Sequence, residues 1–393
     1  MSRLKKEFSD GKGMYEIAGK KQCTGCGACA CVCPADCISM VENQEGFSYP
    51  VIDKERCIGC GKCRQACPGE AEDDEKVRAV LAGYSRSPKV RKDSSSGGIF
   101  THLAEEIIRR GGVVFGVEMR GSRAVMCAVE KAEELTRLRG SKYVQGLAGD
   151  AYSRAKEYLE EGRWVLFSGT PCQIAGLYAV LNKEYSRLIT ADFICHGISS
   201  PLVLEKYLKE QGQGKEPERI SFRDKTEGWK KFSMKVEWED HTVNRASLEE
   251  DLYLQSFLKN LNLRSSCFSC RFRKVHRKSD ITLGDLWGAE EIREGWTEDL
   301  GYSLVLLQSP KGEALWEKIE KDIVAAPVPL SKVLTHNASM KASPWDEYSR
   351  DLFFKMMDRY ELKECIRRAE QDGIRKKAGR KLWKIKGFIP STS

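Results

Sequence analysis

The sequence predicts a multidomain chain of α+β and α/β type, in which a small cysteine-rich domain precedes a mixed α/β domain and a basic helical tail. Three observations carry this. Ten of the 16 cysteines in 393 residues fall between positions 23 and 67. From about residue 76 short apolar runs alternate with amphipathic stretches. Residues 373–393 hold seven basic and no acidic side chains. The expected divisions are a tail at 1–15, the cysteine-rich domain at 16–70, an acidic linker at 71–76, two parts of one α/β domain at 77–155 and 156–330, and the tail at 331–393.

A chain of this length buries a core without disulfides. No apolar run approaches the roughly 20 residues of a membrane span. The N-terminal residues carry no apolar stretch of the secretory kind, so a cytoplasmic protein is expected. With 65 basic and 57 acidic residues the net charge is +8, too diluted to argue for nucleic acid. In a reducing compartment 16 thiols read as metal ligands or catalytic groups rather than disulfides.

Eight of the N-terminal cysteines form two copies of C-x2-C-x2-C-x3-C-P. The first is Cys23, Cys26, Cys29 and Cys33 before Pro34, and the second is Cys57, Cys60, Cys63 and Cys67 before Pro68. In this spacing three thiolates of one loop grip an iron–sulfur cube and the fourth ligates the other cube. Cys23, Cys26, Cys29 and Cys67 are therefore assigned to one [4Fe–4S] cluster, and Cys57, Cys60, Cys63 and Cys33 to a second. Structural zinc is the alternative, but it does not call for the third cysteine of each loop. Cys31 and Cys37 fall outside the pattern and read as small buried side chains. The duplication resembles a bacterial-type ferredoxin domain.

Beyond the linker, strands are expected over 113–117, 164–167, 188–194, 219–222, 232–238 and 303–307. Helices are expected over 99–110, 174–181, 201–209, 248–261 and 313–323. Ser200 is a fitting N-cap ahead of Pro201, with Gly212 just past the helix end. Neither a G-x-G-x-x-G nor a P-loop is present, which disfavours a simple nucleotide-binding βαβ site. Two Ser/Gly loops, 94–98 and 168–171, stand before helices where exposed N–H groups would receive an anion or only cap the helix.

Four more cysteines occupy distinctive surroundings: Cys172 in GTPCQ, Cys195 in FICHG, and Cys267 with Cys270 in CFSC. Together they make four soft ligands for a third cluster. Zinc held by Cys267, Cys270 and His276, or a Cys172 nucleophile activated by His196, are the alternatives. Cys127 and Cys365 read as buried thiols.

In order along the chain stand SSSGGIF at 94–100, GSKYVQG at 140–146, FSGTPCQIAGL at 167–177, DFICHG at 192–197, FRDK at 222–225, LRSSCFSC at 263–270 and SDITLGDLWG at 279–288. With the preceding cysteine runs they resemble the coenzyme F420 hydrogenase/dehydrogenase beta-subunit family over about residues 20–325. The resemblance implies a ferredoxin-like two-cluster domain followed by a flavin-binding α/β domain. It implies FAD and a cytoplasmic oxidoreductase that exchanges hydride with a small molecule, F420 or another, and electrons with a soluble ferredoxin or a catalytic redox subunit. An electron-transfer subunit with no substrate of its own is one alternative. A ferredoxin-dependent reductase of a sugar, lipid or other metabolite is another.

By the same resemblance Ser95, Ser96, Gly97, Gly98, Ser141, Lys142, Tyr143, Gly169, Thr170 and Pro171 are expected to contact the flavin. Lys142, Arg223 and Lys225 are candidates for a catalytic role, Lys142 through its charge near a phosphate or the flavin ring unless it is simply a surface lysine. Phe222 and Asp224 stand with Arg223 and Lys225 on the expected substrate side, or on a mere exposed strand end. Asp280, Asp285 and Trp287 rank below these. The basic tail, with Trp383 and Phe388 among its apolar residues, is read as a solvated end or as a contact for an anionic membrane surface or an acidic partner.

Overall fold

The computed structural model describes residues 16–69 and 77–371. The N-terminal tail, the acidic linker and the basic run at 373–393 lie outside the described residues. Near the N-terminus β1 (Ile38–Glu42) and β2 (Ser48–Ile52) form an antiparallel hairpin. It stands with two one-turn helices, Ala28–Cys31 and Lys62–Gln65, one inside each cysteine run. Each begins at a glycine in the left-handed region, Gly27 with φ 84° and Gly61 with φ 73°, where a Cβ is strained.

The rest of the chain builds two sheets. Its strands are β3 (Ala79–Ser85), β4 (Val113–Arg120), β5 (Arg123–Val129), β6 (Gly146–Leu147), β7 (Val165–Ser168), β8 (Leu188–Phe193), β9 (Pro217–Asp224), β10 (Ser233–Trp238), β11 (Val243–Ser247), β12 (Ile281–Asp285), β13 (Ser303–Leu307) and β14 (Ile323–Pro327). Nine form one sheet in the order β14-β3-β13-β12-β8-β7-β4-β5-β6, and β11-β10-β9 form a second. The two parts expected at 77–155 and 156–330 thus share one sheet. Its centre, β12-β8-β7-β4, is parallel, while β13 runs antiparallel between β12 and β3, so β3 points the same way as the centre. The carboxyl ends of β3, β4, β7, β8 and β12 therefore open on one edge, where ligands of such sheets bind.

The strand period of two sorts the core. Val114, Leu166, Ile189, Ile281 and Val305 face helices Ile99–Arg109 and Pro310–Ile319. Val113, Phe115, Val165, Phe167 and Leu188 face helices Ala151–Glu160 and Pro171–Leu181. Cys26 and Ala28 join that second cluster, so the first cysteine loop is packed against the α/β domain rather than tethered beside it.

The six expected strands and five expected helices all exist, β13 with the expected bounds and the others with shifted ends. Four helices start with Ser or Thr followed by Pro: Ser87-Pro88, Thr170-Pro171, Ser200-Pro201 and Ser309-Pro310, each hydroxyl accepting from a backbone N–H of the first turn. This cap moves the start of one helix from 174 to Pro171 and another from 313 to Pro310. Gly212 lies inside its helix instead of past it, because Gln213 takes the left-handed position (φ 49°) and a Cβ at Gly212 would meet the Trp238 ring. The helix expected over 248–261 shrinks to Leu252–Leu258, since Asp251 caps it and Ser247 ends β11.

Candidate functional site: thiol cavities at the carboxyl edge of the sheet

The turns leaving β7 and β8 deliver Cys172 and Cys195 to the carboxyl edge. A short 3-10 helix, Ser265–Ser269, brings Cys267 and Cys270 to the same place. All four thiols line one cavity with Thr24, Arg273 and Arg277. Burial pushes the Cys172 thiol up, and it pushes Cys195 and Cys267 up to about 12. A buried thiolate needs a compensating cation, which is what iron or zinc supplies.

His276 lines a different pocket, beside Cys67 and Lys278, so the zinc set of Cys267, Cys270 and His276 is not brought together. The Cys172 thiol is 3.1 Å from the Thr170 hydroxyl, while the His196 ring leans on Phe257 at 4.9 Å between centroids. A thiol raised by burial and bonded to a hydroxyl is not an activated nucleophile.

Cys23, Cys26, Cys29 and Cys67 line a second cavity, with Thr24 and Gly25. The chain walls it in: Tyr152 Oη donates to the Cys26 carbonyl at 2.9 Å, and Gln145 Oε1 accepts from the Ser48 N–H at 3.0 Å. A Cβ at Gly176 would lie 3.3 Å from the Cys26 sulfur, so helix Pro171–Leu181 touches this loop and also carries Cys172. The other cysteine run is different. Cys57 and Cys60 are exposed, and a Cβ at Gly59 or Gly61 would meet nothing within 4 Å. Among the described residues no three histidine, cysteine or acidic side chains converge as ligands of a single ion do. The thiols instead ring cavities, the arrangement that the separated irons of a cube require.

Two cysteines outside the motif depart from expectation. Cys31 is half-exposed rather than buried, because it faces away from the loop toward Ser153 and Lys156. Cys37 is buried, but its sulfur lies 3.3 Å from that of Cys33 and beside Cys57, which makes it a fifth thiol at the second set. Cys33→Ala is therefore expected to keep the full iron complement, with Cys37 taking the vacant corner, whereas Cys33→Ala with Cys37→Ala loses about four iron per chain. Iron analysis of anaerobically purified variants decides this, and loss of iron from the single variant would contradict it.

A large opening of about 700 Å³ lies along the same edge, within the range of cofactor sites. Ser95, Ser96, Gly98, Ser141, Lys142, Tyr143, Gly169 and Thr170 line it. Gly97 and Pro171 do not. Gly97 is pressed on β3 and β13, where a Cβ would sit 2.4 Å from the Gly83 carbonyl, and Pro171 faces the thiol cavity. Tyr143 stacks on Phe257 at 4.7 Å. Lys142 is no surface lysine: its ammonium donates to the carbonyls of Arg137, Leu138 and Arg139 at 3.2, 2.9 and 2.7 Å, and burial pulls it down to about 7.

Of the FRDK residues only Arg223 reaches the opening. Its Nη1 donates to Asp285 at 2.7 Å, while Nε and Nη2 have no partner. Phe222 is core, Asp224 pairs with Arg245 at 3.4 Å, and Lys225 sits behind loop 94–98. There its ammonium donates to the carbonyls of Arg91, Ser96 and Leu300, and burial pulls it down to about 7. Asp285 and Trp287 line the opening, whereas Asp280 is a buried pin, accepting from the Thr190 N–H at 2.8 Å. Cys127 and Cys365 are buried thiols. Thr24, Gln145, Tyr152 and Arg264 are side chains that join the loops; Gln145 and Arg264 stand inside quoted motifs, but nothing in the motifs assigns them that part.

The three cavities are contiguous. Cys172 and Cys195 line both the large opening and the four-thiol cavity, and Thr24 lines these two and the first cysteine cavity. Comparison with known proteins gives this geometry its family. Residues 80–148 match the model for the N-terminal part of the coenzyme F420 hydrogenase/dehydrogenase beta subunit, and residues 162–332 match the model for its C-terminal part. Two 4Fe-4S dicluster domain models match residues 22–71 and 49–94. No curated protein matches the chain. A solved structure titled "Xenon derivatization of the F420-reducing [NiFe] hydrogenase complex from Methanosarcina barkeri" holds a chain 18% identical, with a TM-score of 0.44, over 77% of this chain and 94% of that one. With both family models met in order across more than half of its length, behind a 4Fe-4S dicluster domain, the chain belongs to the coenzyme F420 hydrogenase/dehydrogenase beta-subunit family.

Proposed function

We propose that this iron–sulfur member of a redox family is an FAD-dependent oxidoreductase. It moves electrons between a small hydride donor or acceptor in the 700 Å³ opening and a soluble redox protein at the exposed cysteine loop. The observation that carries the reading is the sharing of lining residues by three adjoining cavities: Cys172 and Cys195 by the opening and the four-thiol cavity, Gly25 and Cys26 by the opening and the first cysteine cavity, and Thr24 by all three. FAD, when bound, would supply the exchange between hydride and single electrons, which clusters alone do not perform.

The chain's own residues suit that group. Ser95, Ser96 and Gly98 bring the loop before helix Ile99–Arg109 to the opening, where N–H groups of the first turn favour phosphate. Tyr143, Phe257 and Trp287 give a flat apolar wall, and Arg223 presents two N–H groups without partners to an anionic or carbonyl group. Lys142, held by three carbonyls, is a fixed donor in the wall rather than a mobile one. Cys172, Cys195, Cys267 and Cys270 would hold the third cluster, beside both the opening and the cluster of Cys23, Cys26, Cys29 and Cys67.

At the far end Ile58, 69% exposed, lies in a segment whose exposed charged residues are Asp53, Lys54, Glu55, Arg56, Lys62 and Arg64. An exposed apolar residue on a segment with a basic excess suits an acidic electron carrier. Among the described residues no helix is long and apolar enough to cross a membrane, and the reducing cytoplasm is the compartment that would keep these thiols and clusters intact.

Iron, acid-labile sulfide and flavin measured per chain after anaerobic purification test the proposal. About 12 iron with one FAD is the expected result. About 8 iron with zinc and no flavin would make the four-thiol site structural and the protein an electron carrier without a substrate.

A further inference from the structure

Arg264 is wholly buried and stands three residues before Cys267, yet its side chain reaches the first cysteine loop, 241 residues away in sequence. Its Nε donates to the Cys23 carbonyl at 2.8 Å, and its Nη2 lies 3.6 Å from the Cys23 sulfur. The guanidinium lies 3.9 Å from the centroid of Tyr49. A Cβ on Gly25 would come within 3.0 Å of Nη1, which has no hydrogen-bond partner. The nearby carboxylates are engaged elsewhere, Glu45 with Arg350 and Lys20 and Glu347 with Lys21. Among the described residues no carboxylate pairs with Arg264.

A buried, unpaired guanidinium costs several kcal/mol, so the fold must place an anion beside it. The group able to serve is a thiolate-bound cluster at Cys23, Cys26, Cys29 and Cys67, whose net charge is negative. We propose that Arg264 is the built-in counter-charge of this first cluster, and that through it the polypeptide turn bearing Cys267 sets that cluster's reduction potential. This rests on the cluster reading above. Among the described residues the basic side chains of the second cysteine run, Arg56, Lys62 and Arg64, are all exposed, and Arg56 donates to the Ala35 carbonyl at 3.1 Å. Two copies of one motif thus become unequal electron sites through one cation supplied by the α/β domain. Reduction adds one negative charge to the cluster, and a fixed positive charge at hydrogen-bond distance from a ligand sulfur favours that state and raises the potential.

The test compares Arg264→Met and Arg264→Lys with the wild-type full chain, purified anaerobically, by iron content and by a redox titration followed in the electron paramagnetic resonance spectrum. In Arg264→Met the couple of the first cluster is expected to lose about tenfold in its reduction equilibrium, a shift of about 59 mV to more negative potential for one electron, while the couple of the four-thiol site, whose Cys267 also feels the Arg264 charge, moves less and that of the second cysteine run stays. Arg264→Lys keeps the iron and most of the potential. Loss of iron from the methionine variant alone also supports a need for the charge. Full iron in Arg264→Met with no couple moved, or equal iron loss in both variants, would overturn the proposal. Wild-type protein without iron would overturn the cluster reading itself, and that result is known before either variant is titrated.

Discussion

Arg350→Met is expected to destabilise the folded chain by about 3 kcal/mol, the low end for breaking a buried ion pair and stranding its partner. Arg350 is wholly buried in helix Glu347–Met356. It donates through Nε to the Leu263 carbonyl at 2.9 Å, and through Nη1 and Nη2 to the two oxygens of Glu45 at 2.8 and 2.5 Å. Glu45 lies in the β1–β2 turn, and at its neighbour Gly46, which has φ 78°, a Cβ would come 2.4 Å from Leu202 Cβ. The pair thus ties the β1–β2 turn of the cysteine-rich domain to helix Glu347–Met356 and, through the Leu263 carbonyl, to the segment that carries Cys267. Lys20, 2.7 Å from Glu45, remains in the variant and keeps the expected loss at the low end. Burial pushes the Glu45 carboxyl up, but the hydrogen bonds and charges of Arg350 and Lys20 overcome it, so it titrates below its ordinary value. A carboxyl lowered in the folded state contributes stability that is full above its unfolded value of about 4.3 and is lost as pH falls through the folded one. Denaturant melts at pH 7 of the anaerobic holoprotein, in a cycle with Glu45→Gln, measure the effect. Strict additivity of the two single variants would show that the tie is not this pair.

What the sequence made legible is what lies within a few residues along the chain. The eight cysteines of the two runs, the caps at Ser200 and the loops at 94–98 and 168–171 are local patterns, and the structure puts most of the loop residues on one opening. Other features escaped for a physical reason. Strands β3, β5, β6, β11, β12 and β14 and helix Ala151–Glu160 lie outside the expected elements: β3 and β5 are apolar runs that do not declare a period, β6, β11 and β12 are short or mixed in pattern, and pairing with neighbours makes them strands. The proximity of Cys37 to Cys33 arises from the turn after Pro34, where Asp36 adopts φ 46°, which spacing does not reveal. Arg264 and Tyr152 act on the first cysteine loop across 241 and 126 residues, and a buried arginine looks like any other in a chain with 65 basic residues. Lys225 and Arg223 are two positions apart in one motif, yet one supports loop 94–98 from behind and the other faces the opening. The bend at the end of β9 separates them, and that bend has no signature in FRDK.

Exposure to air or to an iron chelator is expected to release iron in two phases, with about four iron per chain lost at least tenfold faster than the rest. Reactivity at thiolate-bound iron follows access, and access is the difference between the two duplicated sites that attack from solvent meets first. Cys23, Cys26 and Cys29 are buried under Tyr152, Gln145 and Arg264, side chains contributed by the α/β domain. Cys57 and Cys60 are exposed, on a loop whose glycines meet nothing within 4 Å. The same openness that costs the second cluster its protection gives a redox partner its approach, since a cluster walled in on all sides exchanges no electrons with a protein in solution. Cys57→Ala with Cys37→Ala, which also removes the spare thiol beside it, should therefore remove the fast phase and leave the slow one, and it should abolish electron exchange with an acidic carrier while sparing reduction of whatever occupies the opening. Following iron release with a coloured chelator in wild type and this double variant decides the matter. A single phase in wild type would mean that the burial of the first cysteine set does not shield its iron, and that the two copies are as equivalent in the folded protein as they are in sequence.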